Sequence, residues 1–307
     1  WLDVVAGWTW PRLEAEAARF AQVYKPVSIM PPDQYLALVL QATEGCSYNE
    51  CSFCTFYRDR PFRIHTPAAF ETHLDRVDRF LGRGVTVRRS IFLADANAVI
   101  MPQARLLPLL DLVNAHYPIL PVAADKEAQA AWKQAHPWYL TGIYAFVSAP
   151  DALRKTAADF AAMRARNVSR LYVGLETGHD PLRRFLRKEG DREAVLAAVE
   201  MMKAGGIDLG IIVMVGIGGQ TYRAAHYRDT IDLIQRMPLD HNDLVYLSPF
   251  VASDDAPYVE DVRAAGIAPL DEAALDLEER RFRKVLRSTL RAQDVRISRY
   301  DIREFLY

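Results

Sequence analysis

Six short apolar runs, separated by stretches patterned as helices, constrain this 307-residue chain more than any other feature. The runs cover residues 35–41, 90–93, 143–147, 171–175, 209–215 and 244–247. They are nearly continuous in apolar residues, with little alternation, which is how strands buried on both faces of a parallel sheet read. Helical patterning fills the gaps at 67–81, 103–116, 151–166, 192–204 and 221–236. Thr66 is placed to cap the first of these, Gly205 and Gly206 stop the fourth, and the fifth follows Gly218 and Gly219. Strands alternating with helices predict βαβ units, and hence a partial (β/α) barrel or a doubly wound sheet.

Both ends depart from this rhythm. Residues 1–33 hold one helical stretch, 11–22, and then Pro26, Pro31 and Pro32. After residue 250 a loop with Asp254, Asp255 and Pro257 leads into a long helix at 271–292. Its early turns are acidic and its later turns basic, the order that suits the helix dipole. Leu275, Phe282, Leu286 and Leu290 form a stripe that predicts packing on the body, with the basic half solvated. The chain is therefore divided into an N-terminal extension (1–33), a core (34–250) and a C-terminal helical extension (251–307). The 38 basic and 39 acidic residues leave a net charge of −1, which argues against a protein devoted to gripping a phosphate backbone. No run reaches the roughly 18 apolar residues that crossing a bilayer takes. Neither nucleic acid nor membrane is an expected partner.

All three cysteines, Cys46, Cys51 and Cys54, fall in one short segment directly after the first apolar run, spaced C-x4-C-x2-C. An odd number on one loop excludes a disulfide framework. It reads as a metal or cluster site in a reducing compartment, the cytoplasm. Thiolates select zinc or iron–sulfur clusters. A 4Fe–4S cluster takes four thiolates, so three leave one iron open to another ligand. Two alternatives stay open. Zinc could take the three cysteines with a histidine such as His65, making a Cys3His structural or interaction module. An electron-transfer cluster could take Asp or His as its fourth ligand.

The cysteine loop resembles that of the radical S-adenosylmethionine (radical SAM) enzymes. These typically carry C-x3-C-x2-C after the first strand, with an aromatic residue just before the last cysteine, where Phe53 stands here. The first gap is one residue longer in this chain. The resemblance extends over about residues 35–250. Ala94-Asp95-Ala96, followed by Asn97, takes the place of the motif that receives the methionine amino group. Gly174-Leu175-Glu176-Thr177-Gly178 is similar to the family's Gly-Leu-Glu-Ser-Gly box, whose carboxylate meets the ribose or amino group of the cosubstrate, and Lys188 matches a lysine found downstream of it. Gly216-Ile217-Gly218-Gly219 corresponds to the segment where backbone comes close to adenine, and Tyr246 to Phe250, with Ser248, to a segment flanking it.

The resemblance implies a partial (β/α)6 TIM-like barrel with N- and C-terminal helical extensions. It implies a 4Fe–4S cluster on Cys46, Cys51 and Cys54, with Phe53, Asp95, Asn97, Glu176, Gly216 and Ser248 around S-adenosyl-L-methionine. Reductive cleavage of that cosubstrate to a 5′-deoxyadenosyl radical would then take hydrogen from a small organic substrate, with flavodoxin or ferredoxin as electron donor. Within the family the chain resembles the elongator-like and oxygen-independent coproporphyrinogen oxidase-like enzymes; the same chemistry on RNA is the alternative. By position, Tyr57, Arg58, Arg63, His226 and Tyr227 are candidates to line a substrate pocket, and the aromatic end at 300–307 is expected to pack back across the barrel mouth.

Overall fold

Continuous burial makes the apolar runs into strands. All five residues of β1 (Ala37–Gln41) are buried. After it come β2 (Thr43–Glu44), β3 (Arg63–Ile64), β4 (Ser90–Ala94), β5 (Ile143–Val147), β6 (Val168–Glu176), β7 (Asp208–Val215), β8 (Leu244–Pro249) and β9 (Arg296–Arg299). The computed structural model describes residues 7–304. Seven of these strands form one sheet in the order β1-β4-β5-β6-β7-β8-β9, parallel at every pairing. β2 and β3 make a separate antiparallel pair on the loop after β1. The main sheet never reverses its order, whereas a doubly wound sheet reverses at a switch point. The architecture is thus the partial TIM-like barrel of the two forms the sequence allowed.

The seventh strand is a departure from expectation. Residues 251–307 were expected to be helical, yet β9 pairs with β8 in register Val245↔Ile297, so the sheet runs past residue 250. Arg296-Ile297-Ser298-Arg299 has one apolar residue and two charged ends, too little pattern to read as a strand. The helix expected at 151–166 is also two helices, Ala149–Ala152 and Ala157–Arg164. Thr156 and Asp159 form a reciprocal capping box that starts the second. The helices Pro67–Leu81, Gln103–His116 and Arg192–Ala204 match their predicted limits. The C-terminal helix Glu272–Thr289 buries Phe282 and Leu286 of its stripe, as its period requires.

The N-terminal segment closes the lower end of the barrel. Asp33 accepts hydrogen bonds from Tyr172 Oη at 2.6 Å, Tyr246 Oη at 2.7 Å and the Arg170 guanidinium at 3.0 Å. Gln34 adds a bond to Tyr172 Oη and accepts one from Ser90 Oγ. A carboxylate shared by β6 and β8 fixes the strands from below and leaves the upper rim for chemistry. Among the described residues, no helix is long and apolar enough to cross a membrane.

Two buried histidines make stability depend on pH. His73 Nε2 accepts the Gln41 amide at 3.0 Å, and His226 Nδ1 lies 2.7 Å from Thr177 Oγ1. Burial lowers both pKa values to about 4. The unfolded chain, with histidines near the ordinary value of about 6.5, then binds more protons than the native state between those limits. Stability is expected to fall as pH drops from about 6.5 to 4, by on the order of a few kcal/mol in all. Urea melts across that range check this; His73→Gln should flatten the slope.

Candidate functional site

The upper rim encloses a cavity of about 490 Å³. Each main-sheet strand from β1 to β8 contributes to it at its C-terminal end or in the loop after it: the cysteine loop, Asn97 after β4, Ser148 after β5, Glu176 at the end of β6, Met214 near the end of β7 and Ser248 in β8. Parallel strands deliver their C-terminal ends to one face, which is why residues far apart in sequence meet there.

The cysteine loop is held from several sides. Gly45 turns with φ +75°, and a Cβ there would come within 3.0 Å of the Pro61 carbonyl oxygen. Asn49, in the left-handed region at φ 52°, bends the four-residue gap back on itself. Its amide donates to Cys46 Sγ at 3.3 Å and its side-chain amide to the Tyr57 carbonyl at 3.2 Å. The Arg58 guanidinium donates to the Cys54 and Cys51 carbonyls. Ser52 N donates to the Leu186 carbonyl and Tyr48 Oη to the Arg187 carbonyl, tying the loop to the segment after β6. None of the three cysteines is in a disulfide, and all line the cavity. Burial pushes the Cys54 thiol up to about 11 and raises that of Cys51, where Lys188 opposes it. A bound metal would have to displace these protons.

At the end of β6 the ladder with β7 shifts register between Gly174 and Glu176. Glu176 itself sits at φ 59°. This bulge turns its carboxylate back over Gly174 and toward the cavity, where Oε1 accepts from Lys188 Nζ at 3.1 Å. Burial favours the neutral amine of Lys188, but the negative charges of Glu176 and Cys51 carry its pKa upward. A Cβ on Gly174 would lie 2.4 Å from Glu176 Oε1 and 3.1 Å from Lys188 Nζ. Gly174→Ala is therefore expected to displace the carboxylate and weaken ligand binding about tenfold or more. The melting temperature should change by no more than a few degrees, because the crowded atoms end flexible side chains. Calorimetric titration with S-adenosylmethionine beside thermal melts separates the two effects.

Beneath this pair lies Arg183, 1% exposed. Its guanidinium donates to the carbonyls of Leu175, Thr177, Glu189 and Gly190. It staples the end of β6 to the segment carrying Lys188. Nothing in the Arg-rich stretch Arg183-Arg184-Phe185-Leu186-Arg187-Lys188 marks which cation is interior.

Among the expected site residues, Cys46, Cys51, Phe53, Cys54, Asn97, Glu176 and Ser248 line the cavity. Asp95 and Gly216 are not among the residues lining it. Asp95 Oδ2 accepts from Gly45 N at 2.9 Å and Arg60 Nε at 3.2 Å, and Oδ1 accepts from the Gln41 amide at 3.2 Å. It anchors the base of the cysteine loop. The flexibility of Gly216 serves protein packing: a Cβ there would lie 2.4 Å from Leu275 Cδ1 of the C-terminal helix. Gly218, in the same run, donates its amide to Tyr258 Oη.

The remaining candidates divide similarly. Tyr57 lines the cavity, Arg58 holds the loop as described, and Arg63 is exposed on β3. His226 is buried against Thr177, and Tyr227 lies 3.8 Å beneath the Arg281 guanidinium. Tyr300 and Ile302 reach the cavity from the C-terminal end, while Phe305, Leu306 and Tyr307 lie outside the described residues. His65 Nε2 is engaged with Glu44 at 3.1 Å. Among the described residues, no group of three or more His, Cys, Asp or Glu, the three cysteines included, is arranged to hold a single metal ion.

Two buried atoms facing this region have no partner among the described residues: Asn97 Oδ1 and Tyr300 Oη. Asn97 Nδ2 donates to Asp151 Oδ2 at 2.6 Å, which orients its oxygen away from that carboxylate. Three thiols on one loop, an unused amide oxygen and a carboxylate held by a lysine form a donor set that suits a cluster with one open iron and a cationic amino-acid cosubstrate.

The fold and the cavity define a partial (β/α) barrel with a pocket at the C-terminal ends of its strands. Residues 116–234 match the family model described as the Radical SAM superfamily; the matched segment begins after the cysteine loop. The fold is similar to that of coproporphyrinogen III oxidase HemN from Escherichia coli, with a TM-score of 0.56 at 12% identity, covering 92% of this chain and 56% of that one. It is also similar to methylornithine synthase PylB, at 0.50 and 12%, covering 96% and 84%. The radical S-adenosylmethionine methyltransferase TsrM from Kitasatospora setae gives 0.51 and 14%, covering 80% and 42%. The chain thus spans little over half of HemN and less than half of TsrM. No curated protein matches the sequence. The chain thus carries a segment that matches the Radical SAM superfamily model and shares its fold with radical SAM enzymes.

Proposed function

We propose that Cys46, Cys51 and Cys54 hold a 4Fe–4S cluster whose fourth iron binds S-adenosylmethionine, and that the enzyme takes a hydrogen atom from a small organic substrate. The observation that carries this reading is that three undisulfided cysteines share one cavity with Glu176 and Asn97. Held by Cys46, Cys51 and Cys54, such a cluster would supply the electron for reductive cleavage of the cosubstrate to methionine and a 5′-deoxyadenosyl radical. The chain's own residues position and exclude. Asn97 Oδ1 accepts from the amino group of the cosubstrate. The Glu176 carboxylate, with lone pairs to spare beyond Lys188, accepts from its ribose or amino group. Phe53 packs with Leu182, Leu186 and Ile217 to fix the loop between the last two cysteines. Phe146, Ile212 and Tyr172 wall the cavity and keep water from the reacting atoms. The electron comes from a donor such as flavodoxin or ferredoxin.

Anaerobically reconstituted protein should be brown, hold about four irons per chain and release 5′-deoxyadenosine when reduced. Colourless protein with one zinc and no S-adenosylmethionine cleavage overturns the reading. RNA as substrate predicts tRNA binding that weakens steeply with salt; the near-zero net charge favours a small molecule instead.

A further inference from the structure

The charges lining the cavity limit what its substrate can be. Among the described residues that line it, the cations are Arg183 and Lys188. Arg183 spends its donors on four backbone carbonyls. Lys188 is paired with Glu176. Neither is free to balance a second anion, and Glu189 adds a further carboxylate to the wall. A substrate carboxylate that does not reach the open iron would lose its hydration here without gaining an unpaired cation from the wall. The rest of the wall is largely apolar and aromatic, with Phe146, Tyr172, Ile212, Phe250 and Ile302.

Besides Asn97 Oδ1, a second buried polar atom of this wall has no partner among the described residues. Tyr300 follows β9, and its amide donates to the Leu247 carbonyl at 2.9 Å, fixing the residue beside β8. Its ring packs edge-on to Tyr246 with centroids 5.6 Å apart. The residue is 1% exposed and lines the cavity, yet Oη has no hydrogen-bond partner among the described residues. Buried hydroxyls are ordinarily bonded, so an unpaired one beside a cavity marks a bond left for a ligand. Burial raises the phenol's pKa, which keeps it an O–H donor. An acceptor on a ligand would satisfy this unused O–H.

We propose that the cavity takes an uncharged, largely apolar substrate whose hydrogen-bond acceptor, a carbonyl or ether oxygen, is bound by Tyr300 Oη. The proposal rests on the reading above, because it assigns the substrate part of the same cavity. Calorimetric titration of the reconstituted protein with S-adenosylmethionine present tests it, using 4-phenylbutan-2-one and its near-isosteric carboxylate 3-phenylpropanoate as probes. The ketone should bind at least about tenfold more tightly than the carboxylate. Tyr300→Phe should weaken the ketone about tenfold while raising the melting temperature of the ligand-free protein by about 2 °C, since an unsatisfied buried hydroxyl is removed. Glu176→Gln, which leaves Lys188 unpaired, should improve carboxylate binding about tenfold. A carboxylate that binds as well as the ketone, a ketone that does not bind, or a Tyr300→Phe variant equal to wild type in both readouts overturns the proposal. Iron content of the same samples reports separately on the cluster. If it fails, the probe contrast is still read on the protein as purified.

Discussion

Cys51→Ala should leave a protein that folds but does not hold iron. After anaerobic reconstitution its iron content is expected to fall well below the wild-type level of about four per chain. Its 5′-deoxyadenosine release should drop by at least about a hundredfold, since altering an outer-shell partner of a metal ligand already costs about 10–100-fold. The physical reason is the donor count: three thiolates are all the chain can offer, and two cannot anchor a cube of four irons. Folding should survive. Cys51 is only part-buried, and its loop is held through backbone bonds of its neighbours: Ser52 to Leu186 and Arg58 to the Cys51 and Cys54 carbonyls. Iron analysis and circular dichroism on one preparation decide it. A variant that keeps full iron and turnover would remove Cys51 from the site.

The second large effect is expected at Arg183, which touches no proposed ligand. Arg183→Met keeps much of the side-chain volume but leaves the carbonyls of Leu175, Thr177, Glu189 and Gly190 without their donor. Removing one partner from a buried ionic network typically destabilises by about 3–5 kcal/mol. The denaturation midpoint should fall accordingly. Arg183→Lys should recover little, because an ammonium cannot reach four carbonyls with the planar fork of a guanidinium. S-adenosylmethionine affinity should fall as well, because Glu176 and Lys188 sit on the two segments this residue joins. A loss below about 1 kcal/mol, on the scale of a single hydrogen bond, would show that the segments hold together without it.

Legibility followed the range of the interactions. Strands buried on both faces show as apolar runs, and all six were readable with small errors at the ends. The cysteine loop was readable because its three ligands lie close together in sequence. β9 was not, since a four-residue edge strand carries almost no pattern of its own and exists through its pairing with β8. Asp95 and Asn97 show the same limit within one loop. Two residues apart, one faces inward to Gly45, Arg60 and Gln41 while the other reaches the cavity. Arg183 and Tyr300 gave no local signal at all: one is a buried cation in a charged stretch, the other an aromatic residue in an aromatic end.

Sequence alone determined the alternation of strand and helix, the absence of a disulfide framework and the soft-ligand character of the loop at 46–54, because each depends on neighbours along the chain. Tertiary structure decided that the strands run in unreversed order, that Glu176 turns over Gly174 to meet Lys188, and that Tyr300 reaches the same cavity as the thiols. These depend on distances between residues tens to hundreds of positions apart, which only the packing of the barrel sets.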